Sequence, residues 1–527
     1  MMISLSGKIR DHAPAAASPL PKPCSPPPAS RGRRGRKPAA ALPDQVGGGS
    51  AIPDAARPAL EAAGRTVLRH LEQVLERAYT GGASDAITHL LDHAIPEWAS
   101  AAGQAVMEAV LVHERGFLGS TLKCRSCEAG HLRLEGDRHR TIRTMCGAVA
   151  CKRSYYVCDS CGCGVAPLDM QLGIDGEHGF LPSVQDLVSL MGSQLSFPNA
   201  TGLLRRLLPD APSLTTVERI TRTIGAAVQK NREEERQAAY GDPTNSAFPA
   251  CESTTHPKVA VVAADGGMCR MRTADEPYRE FKMGVLGHLV PVPGRTKDTA
   301  PPVLERAYTA TFEGPDALFD FCGLEFARLG LGRAPILHVL GDGAPWIWAR
   351  AADLAEKGQR VVQTLDFYHA CDHIREAAHA FFGPDSAPGR DWQKARRDQL
   401  MAGKVTRFLQ CVEALARKAQ RLGRSSDACT IRTHHAYFRE RRRFLNYKQC
   451  LDEGLLIGSG MIEGGIRFVG KDRLHRTGMR WSEPGAEAIL ALRGVEASGR
   501  WDRLCHERAI ARKASFTSFR QAATRAA

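Results

Sequence analysis

Two kinds of hydrophobic pattern alternate along the chain. In residues 53–117 and 171–250, apolar side chains recur at three- and four-residue spacing, which predicts amphipathic helices. Between Lys258 and Leu365 they form runs of strand length instead, with one helical segment from Pro315 to Leu331. Residues 366–450 are again helical and basic. Strands that come first in sequence and then alternate with helices predict a mixed sheet flanked by helices.

The length of the chain requires several domains, because 527 residues exceed what one hydrophobic core supports. The predicted fold class is multidomain α+β, in which an α/β core is interrupted by a helical insertion and preceded by smaller domains. The predicted segments are a basic Pro/Ala/Arg-rich tail without order (1–52), a helical region (53–117), a cysteine-rich block (118–170), a second helical region (171–250), the first part of the core (251–365), the helical insertion (366–450), the last part of the core (451–510) and a basic C-terminal tail (511–527).

Two interpretations stay open for the helices of residues 171–250. Leu203–Leu208 precede Pro209, and Ser213–Val217 then offer hydroxyl side chains suited to capping a further helix. The pair is either a helix-turn-helix that docks in a major groove of DNA or an ordinary helical hairpin.

The charge of the chain favours a polyanionic partner. Lysine and arginine number 71 against 57 aspartate and glutamate, a formal net charge of +14, and nucleic acid is the commonest polyanion. A merely basic protein without such a partner is the alternative. No apolar run approaches the roughly 18 residues of a membrane span, and no apolar signal segment opens the chain. We therefore expect a cytoplasmic, nucleoid-associated protein without membrane contact.

The first 52 residues are too poor in large apolar side chains to order themselves. Within them, Arg31–Pro38 carry a dense run of cations around two glycines. The run resembles an AT-hook, in which arginines lie in a narrow minor groove, and Arg33 and Arg36 are then DNA contacts. A solvated tail that adds only non-specific affinity for phosphates is the other interpretation.

The cysteine-rich block predicts a zinc ribbon. Two C-x₂-C pairs, Cys124 with Cys127 and Cys158 with Cys161, offer four thiolates to one tetrahedral Zn²⁺ ion. Cys163 competes with Cys161 for the fourth position. A set of free buried cysteines is the alternative. Because such a site has no open coordination position, its role would be structural rather than catalytic.

Three carboxylates stand at positions suited to a catalytic metal site. Asp265 and Asp342 each end a short apolar run and precede glycine, and Glu463 follows in a glycine-rich, basic stretch. Hard oxygen ligands suit Mg²⁺ or Mn²⁺. Two such ions held about 3.5–4 Å apart serve phosphodiester chemistry. Taken singly, each aspartate also fits an ordinary hairpin turn or loop entry.

A second polar cluster follows the last predicted strand. Asp366, His369 and His373 fall on one face of a starting helix. A separate zinc site and simple capping of the helix by Asp366 both stay open. We prefer a supporting role for Asp366 and His369 beside the catalytic metals.

Cations crowd around Glu463 at a density suited to binding a DNA backbone. Trp481 suits stacking on an unpaired base or, alternatively, capping the core of the closing helix. The predicted DNA contacts of this stretch are Arg467, Lys471, Arg473, Arg476, Arg480 and Trp481.

Several motifs resemble the DDE transposases of bacterial insertion sequences, and the likeness is to the ISKra group. The motifs are Val262–Gly267, Leu340–Ile347, Leu365–His369, Ile457–Glu463, Lys471–Ser482 and Gly499–Asp502, within a likeness that covers residues 118–505. The resemblance implies an RNase H-like catalytic core in which Asp265, Asp342 and Glu463 hold two Mg²⁺ or Mn²⁺ ions. Asp366 and His369 resemble the D-x-x-H signature that lies within a helical insertion of Mutator-like transposases.

The resemblance implies Mg²⁺-dependent cleavage at the ends of an insertion sequence and transfer of the freed 3′-hydroxyls into target DNA. Because two ends must meet, a homodimer or higher assembly on DNA is expected. Two rival functions stay open: an RNase H-like nuclease that only hydrolyses DNA, and a catalytically inactive, transposase-derived DNA-binding regulator with a zinc ribbon. Intact acids at all three positions argue against the regulator.

Overall fold

The computed structural model describes most of the chain after residue 56. The described residues are 57–80, 94–174, 178–242, 244–273, 275–294, 296, 301–476 and 478–524. The predictions made for residues 1–52, with Arg33 and Arg36 as DNA contacts, lie outside the described residues.

Helices dominate the described residues, and the strands form two separate sheets. The α-helices are α1 Arg57–Thr80, α2 Ile95–His113, α3 Pro167–Leu172, α4 Pro182–Gln194, α5 Phe197–Leu207, α6 Leu214–Tyr240, α7 Pro315–Arg328, α8 Pro345–Ala351, α9 Phe367–Phe382, α10 Ala387–Met401, α11 Val405–Arg421, α12 Ser425–Glu440, α13 Tyr447–Glu453, α14 Gly460–Gly465, α15 Asp472–Leu474, α16 Glu483–Ala497 and α17 Trp501–Thr524. The strands are β1 Thr121–Lys123, β2 His131–Thr144, β3 Gly147–Cys158, β4 Gly164–Val165, β5 Val259–Arg270, β6 Tyr278–Leu289, β7 Val303–Thr311, β8 Ile336–Gly341 and β9 Arg360–Leu365.

The cysteine-rich block folds as an antiparallel sheet in the order β1-β2-β3-β4. β2 and β3 pair along nearly their whole length and are joined by a tight turn at Met145 and Cys146. One face of this sheet is packed, with Leu132 and Tyr156 fully buried. Such one-sided burial is typical of antiparallel strands and explains the alternating sequence between the cysteine pairs.

The central sheet has five strands in the order β7-β6-β5-β8-β9. β5, β6 and β7 are antiparallel neighbours, whereas β8 and β9 run parallel to β5. Helices α7 and α8 lie in the connections that lead into β8 and β9, since parallel neighbours need a crossover rather than a hairpin. The apolar run Val259–Ala264 is buried on both faces, as expected for a central strand covered by helices. The predicted mixed α+β architecture is confirmed.

β5 is longer than predicted. It continues to Arg270, so Asp265 lies inside the strand rather than at its end. The added length is stabilised by β6, which pairs with β5 as far as Arg270, whereas the parallel pairing with β8 ends at Ala263. The alternative that Asp265 begins a hairpin turn is therefore wrong, because the hairpin turns only after Arg270.

The second helical region and the insertion bury one face in cores that include the central sheet or its closing helix. α6 begins after Ser213, whose hydroxyl accepts a hydrogen bond from Thr216 N, and it runs for 27 residues. Its buried side chains share a core with α4, α5 and α16. In the insertion, Phe408 and Phe438 meet edge to face at 4.8 Å inside a core that is continuous with the sheet. None of the helices in the described ranges is long and apolar enough to span a bilayer.

Most of the segment predicted as a basic C-terminal tail belongs to the single helix α17, which spans residues 501–524. This helix reaches the cysteine-rich sheet, where Phe519 is only 3% exposed. Arg125 Nη2 donates to Ser518 Oγ at 2.8 Å and the Arg125 guanidinium lies over the Phe519 ring. Apolar side chains spaced along a basic helix provide this packing face. From the sequence we considered only the positive charge of the segment and did not predict the face.

Candidate active site

The candidate site lies at the carboxyl end of the parallel pairing among the three strands β5, β8 and β9. This end of the central sheet is called the sheet edge. The last pair between β5 and β8 joins Ala263 to Leu340. Asp265 lies two residues after Ala263, and Asp342 lies two residues after Leu340. Asp366 directly follows β9, and its backbone N–H donates to Gly341 O at 2.8 Å. Neighbouring parallel strands thus bring three aspartates to adjacent positions at the same edge.

The backbone fixes the first two carboxylates. Asp265 Oδ1 accepts a hydrogen bond from Gly266 N at 2.6 Å, and Asp342 Oδ1 accepts one from Ala344 N at 2.9 Å. Between the latter two residues, Gly343 adopts a φ of 99°, which a residue with a Cβ rarely adopts. The chain therefore turns away directly after Asp342, and both carboxylates are oriented before any ligand binds.

Asp366 links the sheet edge to the glutamate segment. Its side chain is only 1% exposed and caps α9 by accepting a hydrogen bond from His369 N at 2.6 Å. Its other oxygen accepts hydrogen bonds from Ser459 N and from Ser459 Oγ, the second at 2.6 Å. Ser459 immediately precedes α14, which carries Glu463. Asp366 therefore connects the start of α9 with the segment that leads into the glutamate helix; the capping of the helix is what the structure shows, and a supporting role beside catalytic metals stays a prediction.

The helix α14, which carries Glu463, packs on the same face of the sheet as Asp265. Asp265 is paired with Met283, and side chains of directly paired residues point to the same face. A Cβ on Gly465 would lie 3.3 Å from Met283 Sδ and 3.1 Å from Val285 Cγ2. The glycine thus lets α14 pack directly on β6, which explains why the stretch around Glu463 is rich in glycine.

The charges of the site influence one another. Burial, and then the nearby Asp342 carboxylate, raise the pKa of Asp265, while Gly266 N, His369 and Lys471 oppose the rise. Burial and the carboxylate of Asp366 also raise the pKa of Glu463, which His369 again opposes. A concentration of negative charge that is only partly compensated favours the binding of a cation.

The helical insertion supports the loop after Asp342, a contact that the sequence did not predict. The Tyr437 hydroxyl donates to Asp342 O at 2.6 Å, and Arg441 Nε donates to Gly343 O at 3.0 Å. Both residues lie at the end of α12, about 95 residues further along the chain. In the sequence, Tyr437 and Arg441 are related only by a helical spacing of four residues. That spacing does not indicate that both contact the loop after Asp342.

A histidine pair lies behind this contact. His373 stacks on Tyr437 with ring centroids 3.7 Å apart, and its Nδ1 lies 2.9 Å from His434 Nδ1. Burial, and then the neighbouring histidines, lower the pKa of His373 to about 4. The alternative of a zinc site on Asp366, His369 and His373 gains no support, because their ligand atoms do not form a compact group in the described part of the chain.

The donor set at the sheet edge fits a hard divalent cation. Asp265, Asp342 and Glu463 offer only carboxylate oxygens, which Mg²⁺ and Mn²⁺ prefer. Within the described residues, these three acids do not approach one another to 4.8 Å as a single group. Ligands distributed over two ions are expected to be further apart than ligands around one ion, since the ions themselves stand about 3.5–4 Å apart.

Two of the six predicted DNA contacts near Glu463 are buried. Arg473 is 0% exposed and donates from Nε and Nη2 to Gly192 O at 3.2 and 3.1 Å. Trp481 is 4% exposed, and its Nε1 donates to Leu474 O at 3.1 Å. The Arg473 guanidinium lies over the Trp481 ring, so the two residues stabilise the packing of this segment. We therefore remove both from the predicted DNA contacts.

The other four cations remain at the surface to different degrees. Arg467, Lys471 and Arg480 are exposed. Arg476 is half-buried and donates to Asp472 O and to Gln194 O. The cationic surface next to Glu463 is therefore smaller than the sequence suggested.

The cysteine-rich sheet brings five sulfurs together at one end. Sγ atoms of Cys124, Cys158, Cys161 and Cys163 all lie within 4.8 Å of one another, a spacing that a bound metal ion requires. Cys127 Sγ lies 3.7 Å from Cys158 Sγ at the edge of this group. The compact group thus contains both Cys161 and Cys163, which competed for the fourth position, while the predicted ligand Cys127 lies outside it.

Backbone amides favour thiolates in this cluster. Ser160 N and Cys161 N point to Cys158 Sγ at 3.4 and 3.5 Å. The pKa of Cys124 is lowered to about 6, chiefly by a hydrogen bond from the backbone of Cys127, whereas the pKa values of Cys127 and Cys161 are raised to about 11. Thiolates are the form that binds Zn²⁺, so the donor set fits the predicted ion.

Comparison with known proteins gives distant matches. No family model matches the chain. The chain is 23% identical over 334 residues to the "UPF0236 protein in vanSb 3'region" of Streptococcus gallolyticus, a match that covers 63% of this chain and 67% of that protein. Among solved structures, the Drosophila P element transposase strand transfer complex matches at 9% identity and a TM-score of 0.26, covering 63% of this chain and 95% of that one. At that TM-score the structural match carries no argument about mechanism.

Proposed function

We propose that this chain is a DDE transposase of the ISKra type, which cleaves DNA at the ends of an insertion sequence and joins the ends to target DNA. The observation that supports the proposal is that Asp265 and Asp342 lie at the carboxyl end of the parallel pairing between neighbouring strands, while the helix that carries Glu463 packs on the same sheet. Three carboxylates from distant parts of a basic chain suit metal-dependent phosphoryl transfer better than any other chemistry.

The topology of the sheet supports an RNase H-like assignment for the core. Its order β7-β6-β5-β8-β9 has an antiparallel half and a parallel half, which makes it a mixed sheet as predicted. Asp265 and Asp342 lie on the central two strands, and the segment with Glu463 returns to the sheet after the insertion. The acids thus come from separate parts of the chain through one fold.

In the proposed mechanism, Asp265, Asp342 and Glu463 hold two Mg²⁺ ions. The chemistry that such ions supply when bound is activation of the attacking oxygen and stabilisation of the leaving oxygen. Asp366 and Ser459 keep the glutamate helix in place against the sheet edge. Exposed cations next to Glu463 hold the DNA backbone near the acids.

The same carboxylates would serve both steps of the reaction. Water attacks the phosphodiester at an element end and frees a 3′-hydroxyl, and that hydroxyl then attacks a phosphodiester of the target in line. The bonds broken and formed are both P–O bonds, so no covalent enzyme intermediate is needed. Two ends have to be processed together, and a homodimer or larger assembly on DNA is the expected form.

The cysteine cluster completes the proposal as a structural zinc site. Its four ligands leave no open coordination position, so the ion would stabilise the ribbon rather than take part in catalysis. The packing of Phe519 beside Cys124 and Cys158 connects this ribbon to the C-terminal helix.

The test is a strand-transfer reaction with purified full-length protein. A labelled linear DNA that carries the ends of the element is incubated with a target plasmid in Mg²⁺ or in EDTA. Joined product that requires Mg²⁺ and disappears in Glu463→Gln supports the transposase. Cleavage without joining indicates a nuclease that only hydrolyses, and specific binding without either reaction indicates a DNA-binding regulator.

A further inference from the structure

A large aromatic side chain stands exposed directly beside the acids. Tyr368 lies in the first turn of α9, between Asp366 and His369, and it is 56% exposed. Its neighbour Phe367 is 4% exposed and fills the core below. The helix thus buries one aromatic ring and presents the next one to solvent at the sheet edge.

The exposed ring has a fixed position. A Cβ on Gly458 would lie 2.7 and 2.8 Å from two atoms of the Tyr368 ring and 3.7 Å from Asp366 Oδ2. The ring therefore rests on the backbone of Gly458, in a place that only glycine leaves free. Gly458 leads through Ser459 into the helix of Glu463, so the ring rests on the segment that joins Asp366 to that helix.

The exposed ring of Tyr368 suits contact with a DNA base rather than with a DNA phosphate. A phenol ring carries no positive charge for a phosphate, but its open face can stack on any base. A base inside an intact duplex offers no free face, so stacking needs a nucleotide that has left the helix. A nucleotide displaced from the duplex at the proposed cleavage site would lie near the acids, whereas Trp481, for which we predicted this role, is buried.

We infer that Tyr368 stacks on an unpaired base next to the scissile phosphate, and that the substrate is a DNA end with one nucleotide displaced from the duplex. This inference rests on the proposed function. Tyr368 is then a positioning residue: it makes no bond to the reacting atoms, and it holds the displaced nucleotide so that the phosphate stays at the acids.

Phe468 provides a matched control. It is also an exposed aromatic residue (47%) near Glu463, but it follows Glu463 by more than a helical turn. Its ring lies 5.3 Å from the guanidinium of Arg493, which gives it a structural partner. If exposed aromatic area in general were responsible for an effect, Phe468→Ala would reproduce Tyr368→Ala.

The experiment compares wild type, Tyr368→Ala, Tyr368→Phe and Phe468→Ala on two versions of the element-end DNA. One is fully paired, and the other has an abasic nucleotide next to the scissile phosphate. Tyr368→Ala is expected to slow cleavage of the paired end about tenfold or more, because stacking is lost. On the abasic end it is expected to match wild type, and Tyr368→Phe is expected to match wild type on both.

A second readout needs no cleavage. With 2-aminopurine next to the scissile phosphate and Ca²⁺ in place of Mg²⁺, binding of wild type is expected to change the fluorescence, and Tyr368→Ala is expected to remove that change. Equal cleavage by wild type and Tyr368→Ala, equal losses on both DNAs, or the same fluorescence change in both proteins would overturn the inference. Absence of cleavage by wild type would count against the proposed function instead, since the fluorescence arm still reports on Tyr368.

Discussion

Replacement of Asp366 by alanine should loosen the attachment of the glutamate helix to the sheet edge. The Asp366 carboxylate is buried and accepts hydrogen bonds from His369 N, Ser459 N and Ser459 Oγ. Asp366→Ala leaves all three donors without this acceptor. The perturbation therefore acts on the N-terminus of α9 and on the entry into α14 at the same time.

The expected magnitude follows from these three contacts. Loss of the N-cap costs about 1 kcal/mol, and each unsatisfied buried donor of Ser459 costs roughly 1–3 kcal/mol. The sum is about 3–7 kcal/mol, and water entering the vacated space reduces it, so we expect about 3 kcal/mol. That is a large fraction of the roughly 5–15 kcal/mol that stabilises a folded protein.

The assay is hydrogen–deuterium exchange of the peptides that contain residues 459–465 and 367–373, supported by urea unfolding. Exchange reports the local free energy of opening, which remains defined even where a chain of several domains does not unfold in two states. Ser459→Ala is the matched control and should lose about half as much. A double-mutant cycle between the two positions should give a coupling of roughly 0.5–3 kcal/mol. Unchanged exchange in Asp366→Ala would refute the reasoning.

Three further outcomes are expected. Gly470→Ala places a Cβ against the fully buried Phe281 ring and should destabilise the protein by about 1–3 kcal/mol in urea unfolding, with reduced cleavage. Removal of the cysteine-bound metal by a chelator should lower the melting temperature and release about one Zn²⁺ per chain, measured with a chromogenic zinc indicator. Because the pKa of His373 is depressed to about 4, the folded state favours its neutral form; the stabilisation is complete above the unfolded pKa of about 6.5 and decreases as the pH falls towards 4. His373→Phe, which keeps the stacking, should reduce this acid destabilisation, which we put at about 1–2 kcal/mol after allowance for solvent screening.

Each of these outcomes has a result that contradicts it. Wild-type stability of Gly470→Ala would show that Phe281 moves aside without cost. Protein that contains no zinc and melts at the same temperature with and without chelator would leave the cysteines as free thiols. An unchanged acid limb in His373→Phe would assign the destabilisation below pH 6.5 to other groups.

Much of the central sheet was predictable from the sequence because its strands are continuous apolar runs that end in a polar residue. The runs ending at Asp342 and Asp366 correspond to β8 and β9 to within a residue. Parallel order then brings these aspartates together without any further information. Asp265 was harder to place, since antiparallel pairing with β6 extends β5 beyond it and no local pattern indicates where one partner strand ends.

Burial of charged and aromatic side chains was not predictable from local spacing. Arg473 looks like its exposed neighbours in the sequence, but a carbonyl oxygen of Gly192, 281 residues away, accepts its hydrogen bonds. Tyr437 supports Asp342 across a gap of 95 residues. Contacts of this kind depend on how helices pack against the sheet, and a single sequence does not contain that information.

The most direct test of the central claim is metal specificity at a proposed ligand. Asp342→Cys replaces a hard carboxylate oxygen by a softer sulfur, which Mg²⁺ binds poorly and Mn²⁺ tolerates better. Cleavage of the element-end DNA by this variant is measured in each metal beside wild type and Asp342→Ala. We predict that cleavage is lost in Mg²⁺ and partly restored in Mn²⁺, while Asp342→Ala stays inactive in both. Undiminished cleavage by both variants in Mg²⁺ would contradict the account, because Asp342 would then not hold a catalytic metal.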